Sequence, residues 1–173
     1  MDKIVPFIPY GKQNITDEDI QAVVDVLKSD LLTQGPKIQE FERAFADYVG
    51  AKYAVAVNNA TAGLHLSSKA LGVKINDRVI VTPITFAASA NCIRYGGNVI
   101  FCDIDKHSYL LDTGLLREKL NSSPPNTYQG IVAVDFAGYP INLEELKSIA
   151  DDYGLWILED ACHALGGYFI DSK

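Results

Sequence analysis

Short apolar runs alternate with longer amphipathic stretches from residue 53 onward, and that alternation narrows the fold more than any other feature. Strands are predicted over residues 53–57, 78–82, 98–102 and 130–134, and again from Leu155. Helices are predicted between them, over residues 61–71, 85–95, 111–120 and 143–153. Strands separated by helices of about ten residues point to an α/β fold, a mostly parallel sheet with helices on both faces. Residues 121–126, NSSPPN, read as a surface loop and no internal repeat is visible.

The first 50 residues are organised differently. Residues 1–13 read as an extended, proline-bearing arm. Asn14 or Thr16 is expected to cap a helix whose first turn holds Asp17, Glu18 and Asp19, acids that favour the positive end of the helix dipole. Its apolar stripe is Ile20, Val23, Val24 and Leu27. After the break SDLLTQGP at 29–36, a second amphipathic helix carries Ile38, Phe41, Phe45 and Val49 and stops at Gly50.

The run Leu155, Trp156, Ile157, Leu158 reads as a central strand buried on both faces, and it ends at two carboxylates, Glu159 and Asp160. Side chains just past the carboxyl end of such a strand face the crevice where open α/β sheets bind ligands. A carboxylate there needs a cation or good hydrogen bonds, because a bare buried charge is very costly. Asp160 therefore suits a protonated ring nitrogen of a cofactor, with His163 close enough to touch the same ligand. The plainer readings, an acid that caps the next helix and a histidine satisfied in the core, stand beside this one.

Two further strand ends converge on it. Residues 53–57 lead through Asn58, Asn59, Ala60, Thr61, Ala62 and Gly63 into a helix, whose free amides and positive dipole end make a phosphate site. Ordinary capping by Asn59 or Thr61 is the alternative. The stretch is neither a P-loop nor a dinucleotide fingerprint. Phe86 follows the strand at 78–82, where a ring either stacks on a bound heterocycle or packs in the core. Phosphate cradle, stacking ring and carboxylate together describe a site for a flat, cationic, phosphorylated ring, and pyridoxal phosphate fits.

Composition sets the outer bounds. With 173 residues, 48% hydrophobic and 21% charged, the chain suffices for one sizeable core or one domain of something larger. A net charge of −7 with scattered basic residues argues for neither nucleic acid nor an anionic membrane as partner. Cys92, Cys102 and Cys162 lack metal-ligand spacing, and with no signal peptide or long apolar span they suggest a reducing cytoplasm. Cys92 and Cys102 sit among apolar neighbours and are read as core packing.

The order LLTQGPKIQEFE, NNATAGLHL, PITFAASAN, VDFAG and ILEDACHALGG closely resembles the DegT/DnrJ/EryC1/StrS nucleotide-sugar aminotransferases, over essentially the whole chain. The resemblance implies the large domain of a type I, aspartate-aminotransferase-like, pyridoxal-phosphate enzyme, here truncated. Residues 1–35 would be its arm and first helix and 36–173 its α/β sheet region, with the rest of the large domain and the small domain absent. Within the family, LTQG, VDFAG and HALG look most like the enzymes that aminate C4 of a UDP-linked 4-keto-6-deoxy-N-acetylhexosamine in pseudaminic acid or surface polysaccharide biosynthesis.

Carried over by position, the resemblance makes Asp160 the partner of the pyridine nitrogen, Phe86 the stacking ring, and Thr61 with Ala62 the phosphate cradle, and places His163 near the phenolic oxygen. Tyr10, Asp30, Leu31, Leu32, Thr33 and Ala60 match positions that line the nucleotide-sugar site. Glutamate is the implied donor, a homodimer the implied assembly and the cytoplasm the implied location. The family's Schiff-base lysine belongs to a Ser-Phe-His-Pro-x-Lys-like motif that Lys173 does not fit, so the lysine is expected beyond Lys173 and the chain alone is expected to be inactive. The alternatives are a dehydratase of the same family, with histidine in place of the lysine, and a non-catalytic domain that binds a sugar nucleotide or phosphate.

Overall fold

A computed structural model of the chain describes Phe7 and residues 11–167. Most of the arm expected over residues 1–13, including Tyr10, lies outside the described residues. The chain forms two compact units, Met1–Ala56 and Val57–Lys173.

The first unit carries α1 (Asp17–Leu27) and α2 (Pro36–Val49). Thr16 opens α1 with a capping box: its hydroxyl accepts from the Asp19 amide at 3.3 Å, and the Asp19 carboxylate accepts from the Thr16 amide at 2.8 Å. Pro36 starts α2, where its missing N–H leaves no bond unmade, and Gly50 ends it at φ 70°. Asp30, Leu31, Leu32 and Thr33 lie in the exposed connection between the helices.

The strand expected over residues 53–57 does not form. No strand lies beside this segment among the described residues, and a β-strand exists only through a neighbour that takes up its N–H and C=O groups. One amide finds another acceptor: Ala56 N–H donates to the Glu42 carboxylate of α2 at 2.8 Å. Tyr53 and Val55 are left 77% and 78% exposed.

The second unit runs α3 (Ala60–Ala70), β1 (Arg78–Val81), α4 (Ala87–Arg94), β2 (Asn98–Phe101), α5 (Thr113–Asn121), β3 (Gly130–Val134), α6 (Leu143–Tyr153) and β4 (Trp156–Asp160). The four strands form one parallel sheet in the order β2-β1-β3-β4. α5 starts two residues later than expected because Asp112 caps it, accepting from the Leu115 amide at 2.9 Å, while Leu111 is engaged in a bridge to Ile104.

Alternate residues of the strands supply two cores, one on each face of the sheet. Val79, Val81 and Val132 pack with Leu64 of α3 and with Ala88, Cys92 and Ile93 of α4. Ile80, Ile131 and Ala133 pack with Leu116 and Leu120 of α5 and with Leu146 and Ile149 of α6. Cys92 and Cys102 are buried among apolar side chains, as their neighbours in the chain suggested.

Among the described residues the expected central strand lies at an edge of the sheet. β3 is buried throughout, whereas Trp156, Ile157 and Leu158 of β4 are only half-buried, since β4 has no second neighbour among the described residues. The strand also continues through Glu159 and Asp160 rather than ending before them, because Ala133 pairs with Glu159 and Val134 with Asp160. Chain order in the sheet reverses between β1 and β3, and the crevice at the carboxyl ends on either side of that reversal is where such sheets place a ligand.

Candidate functional site

Asp160 is the last residue of β4 and is 6% exposed. Strand alternation turns it to the face shared by Val132 and Leu158, toward α4. There Ser89, fully buried on α4, donates its hydroxyl to Asp160 Oδ2 at 2.6 Å. The Cys162 amide donates to Oδ1 at 3.3 Å. No lysine, arginine or histidine is paired with this carboxylate among the described residues. Its charge is felt by both neighbouring thiols. Burial first, then the hydrogen bond and charge of Asp160, push Cys162 up to about 11. Burial and then the same charge push Cys92 up to about 11. Both stay protonated at neutral pH, which makes them poor nucleophiles.

Phe86 caps the start of α4 and is 76% exposed, although it is one of the largest apolar side chains in the unit. Among the described residues the ring belongs to neither core cluster. Thr85, one residue earlier, lies with its hydroxyl 2.6 Å from Ser89 Oγ.

At the start of α3, Asn59 is the cap: its side chain accepts from the Ala62 amide at 2.9 Å. The Gly63 amide donates to the Asn59 carbonyl at 3.1 Å. The capping reading is thus fulfilled at Ala62. It leaves the amides of Ala60 and Thr61, which have no acceptor within the helix, and the exposed Thr61 side chain.

His163 sits exposed in the turn after β4. The turn at Phe136–Gly138, which follows β3, packs against it: a Cβ added to Gly138 would lie 2.7 Å from the His163 carbonyl oxygen. On the α5/α6 face lies a pair of acids, Asp135 and Glu159. Asp135 Oδ1 accepts from the Ile141 amide at 3.0 Å, and Glu159 reaches the same carboxyl. Burial, then the charge and hydrogen bond of Asp135, push Glu159 up to about 7. Burial raises Asp135 too, against the stabilising Ile141 amide. Two neighbouring carboxyls oppose each other's ionisation.

The structure thus gathers Asp160, Ser89 and Thr85 in hydrogen-bond contact and sets Phe86 at the head of the same helix. Asp30, Leu31, Leu32 and Thr33 belong to the first unit, and Ala60 opens α3 in the second. Ser89, Thr85 and Asp135 lie in the stretches PITFAASAN and VDFAG, where the sequence alone gives them no separate role. The signals were present in the four-residue spacing of two hydroxyls across the start of a helix, and in an acid following the apolar run GIVAV as Asp160 follows WILE. Among the described residues no cluster of three or more metal-ligating side chains occurs, and no helix is long and apolar enough to cross a membrane.

Asp160 at the end of β4, Phe86 at the head of α4 and the free amides at the start of α3 all belong to the second unit. The chain is 39% identical over 167 residues to a UDP-4-amino-4,6-dideoxy-N-acetyl-beta-L-altrosamine transaminase of Campylobacter jejuni, covering 96% of this chain and 44% of that protein. Its fold matches Helicobacter pylori PseC, an aminotransferase involved in the biosynthesis of pseudoaminic acid, with a TM-score of 0.87 and 30% identity over 95% of this chain and 44% of that one. It also matches Spr1654 of Streptococcus pneumoniae, solved in a PLP form, with a TM-score of 0.82 and 30% identity over 92% of this chain and 44% of that one. The chain therefore spans less than half the length of these relatives. The model of the DegT/DnrJ/EryC1/StrS aminotransferase family matches residues 13–173. The chain belongs to the DegT/DnrJ/EryC1/StrS aminotransferase family.

Proposed function

We propose that this protein is a pyridoxal-phosphate-dependent aminotransferase that moves an amino group from glutamate to C4 of a UDP-linked 4-keto-6-deoxy-N-acetylhexosamine. One observation carries the reading: Asp160 is a buried carboxylate that accepts hydrogen bonds from Ser89 and Cys162 and has no cation among the described residues. A buried anion of that kind is stabilised by a cationic ligand, and a protonated pyridine nitrogen is one. When bound, pyridoxal phosphate supplies an electron sink for the carbon that gains or loses the amino group.

The residues divide the work as follows. Asp160 holds the proton on the ring nitrogen. Phe86, exposed at the head of α4, covers a ring face. The Thr61 hydroxyl and the amides of Ala60 and Thr61 bind phosphate oxygens at the positive end of α3, while Ala62 serves by holding the Asn59 cap in place. By their positions in the family's motifs, His163 is assigned to the phenolic oxygen, and Tyr10, Asp30, Leu31, Leu32, Thr33 and Ala60 are assigned to nucleotide-sugar binding. The working assembly is a cytoplasmic homodimer. The 173 residues by themselves, with no lysine in the family's motif, do not turn over.

The test is an assay of the complete product of the gene that encodes these residues, supplied with pyridoxal phosphate, glutamate and the UDP-4-keto sugar. Amino sugar and 2-oxoglutarate formed in equal amounts are expected. Bound cofactor with no amino transfer, or loss of water from the sugar instead, would overturn the proposal.

A further inference from the structure

Ser89 Oγ has three polar neighbours. Asp160 Oδ2 and Thr85 Oγ1 each lie 2.6 Å away, and the Phe86 carbonyl lies at 3.2 Å. A serine hydroxyl carries a single proton, and a carboxylate can only accept. The short contact to the charged oxygen takes that proton, because a hydrogen bond to an ionised acceptor is about twice as strong as a neutral one. Thr85 must then be the donor to Ser89, its own hydroxyl being the only proton left between them. The result is a directed chain, Thr85 to Ser89 to Asp160, that links the segment after β1 through α4 to the end of β4. Ser89 is fully buried, so no water replaces it. The residues are 71 positions apart in sequence, and the contact exists only in the folded unit.

We propose that Ser89, oriented by Thr85, is the positioning residue that fixes the rotation of the Asp160 carboxylate, so that one oxygen is tied to α4 and the other is presented to the ring nitrogen of the cofactor. This rests on the role given to Asp160 above. Without Ser89, Oδ2 is a buried charged oxygen lacking a donor, and the carboxylate turns to recover one.

The probes are pyridoxal phosphate and its deaza analogue, in which carbon replaces the ring nitrogen, titrated into the complete gene product. Ser89→Ala is expected to weaken pyridoxal phosphate about tenfold, the equivalent of one charge-assisted hydrogen bond, and to leave the deaza analogue unchanged. Ser89→Thr keeps the hydroxyl and is expected to restore the preference for the nitrogen-bearing ring. Thr85→Val, at a half-buried position that tolerates substitution better, is expected to reduce that preference in the same sense by a smaller factor. Equal weakening of both ligands by Ser89→Ala would mean a packing role and overturn the proposal, as would no change in either. Asp160→Asn separates this result from the reading beneath it. If Asp160→Asn removes the preference and Ser89→Ala does not, only the positioning role falls. If Asp160→Asn leaves the preference intact, the role of Asp160 falls and that of Ser89 with it.

Discussion

Replacing Gly138 by alanine joins fold and site in one perturbation. Gly138 has φ 83°, in the left-handed region, where a side chain costs about 1–2 kcal/mol. The preceding residue, Ala137, already lies there at φ 56°, so the turn cannot relax by passing the strain back. The added Cβ would also stand 2.7 Å from the His163 carbonyl oxygen, a backbone atom that moves only if the turn after β4 moves. Overpacking of that kind adds about 1–3 kcal/mol. The two costs together are about 3 kcal/mol, which for a chain of this length lowers the melting temperature by roughly 6–12 °C.

Gly154 provides the internal control. It has φ 65° and nothing within 4 Å of an added Cβ, so Gly154→Ala carries the backbone cost alone. Its expected loss is about 1 kcal/mol, or roughly 2–4 °C. Thermal melts followed by circular dichroism compare the two variants. Because the Gly138 contact is to the backbone of His163, cofactor affinity is expected to fall in Gly138→Ala and to stay unchanged in Gly154→Ala. Equal melting shifts in the two variants would refute the argument from the carbonyl contact.

Further expectations concern the acids and the caps. The Asp135–Glu159 pair gives a pH dependence whose sign can be worked out. An acid raised in the folded state binds more protons folded than unfolded, so stability falls as pH rises from the ordinary glutamate value of 4.5 toward about 7. Glu159 keeps part of its side chain in solvent, which makes the slope shallower than for a fully buried acid. Melts at pH 5 and pH 8 should show this decline in the parent and lose it in Glu159→Gln, and an unchanged difference would exclude the pair as its source. Thr16→Ala removes a capping box from a helix with no buried residue, so about 1 kcal/mol of local stability is expected to go, seen as faster amide exchange within α1 alone.

Much of the second unit could be read from its sequence because each element announces itself locally. The apolar run at β3, the Asn142 cap of α6 and the left-handed Gly154 that ends it all lie within a few residues of what they determine. Residues 53–57 misled for the opposite reason: a tyrosine and two valines alternating with alanines suit a strand, but a strand also needs a neighbour, which local composition does not report. β4 misled in a related way, since an apolar run signals burial without saying whether the strand is central or at an edge. Asp160 was visible because charge after an apolar run is conspicuous. Ser89 was not, because a serine in a helix usually faces solvent or bonds back to the preceding turn, and only the fold brings it against β4.

The charge partnership of Asp160 is reported most directly by the ring nitrogen of the cofactor. Pyridoxal phosphate labelled with ¹⁵N in the ring, bound to the complete gene product at neutral pH, distinguishes the protonated from the bare nitrogen by its chemical shift. A protonated ring nitrogen is expected in the parent protein, with loss of that proton in Asp160→Asn. A bare nitrogen in the parent, or a proton retained in the variant, would contradict that partnership.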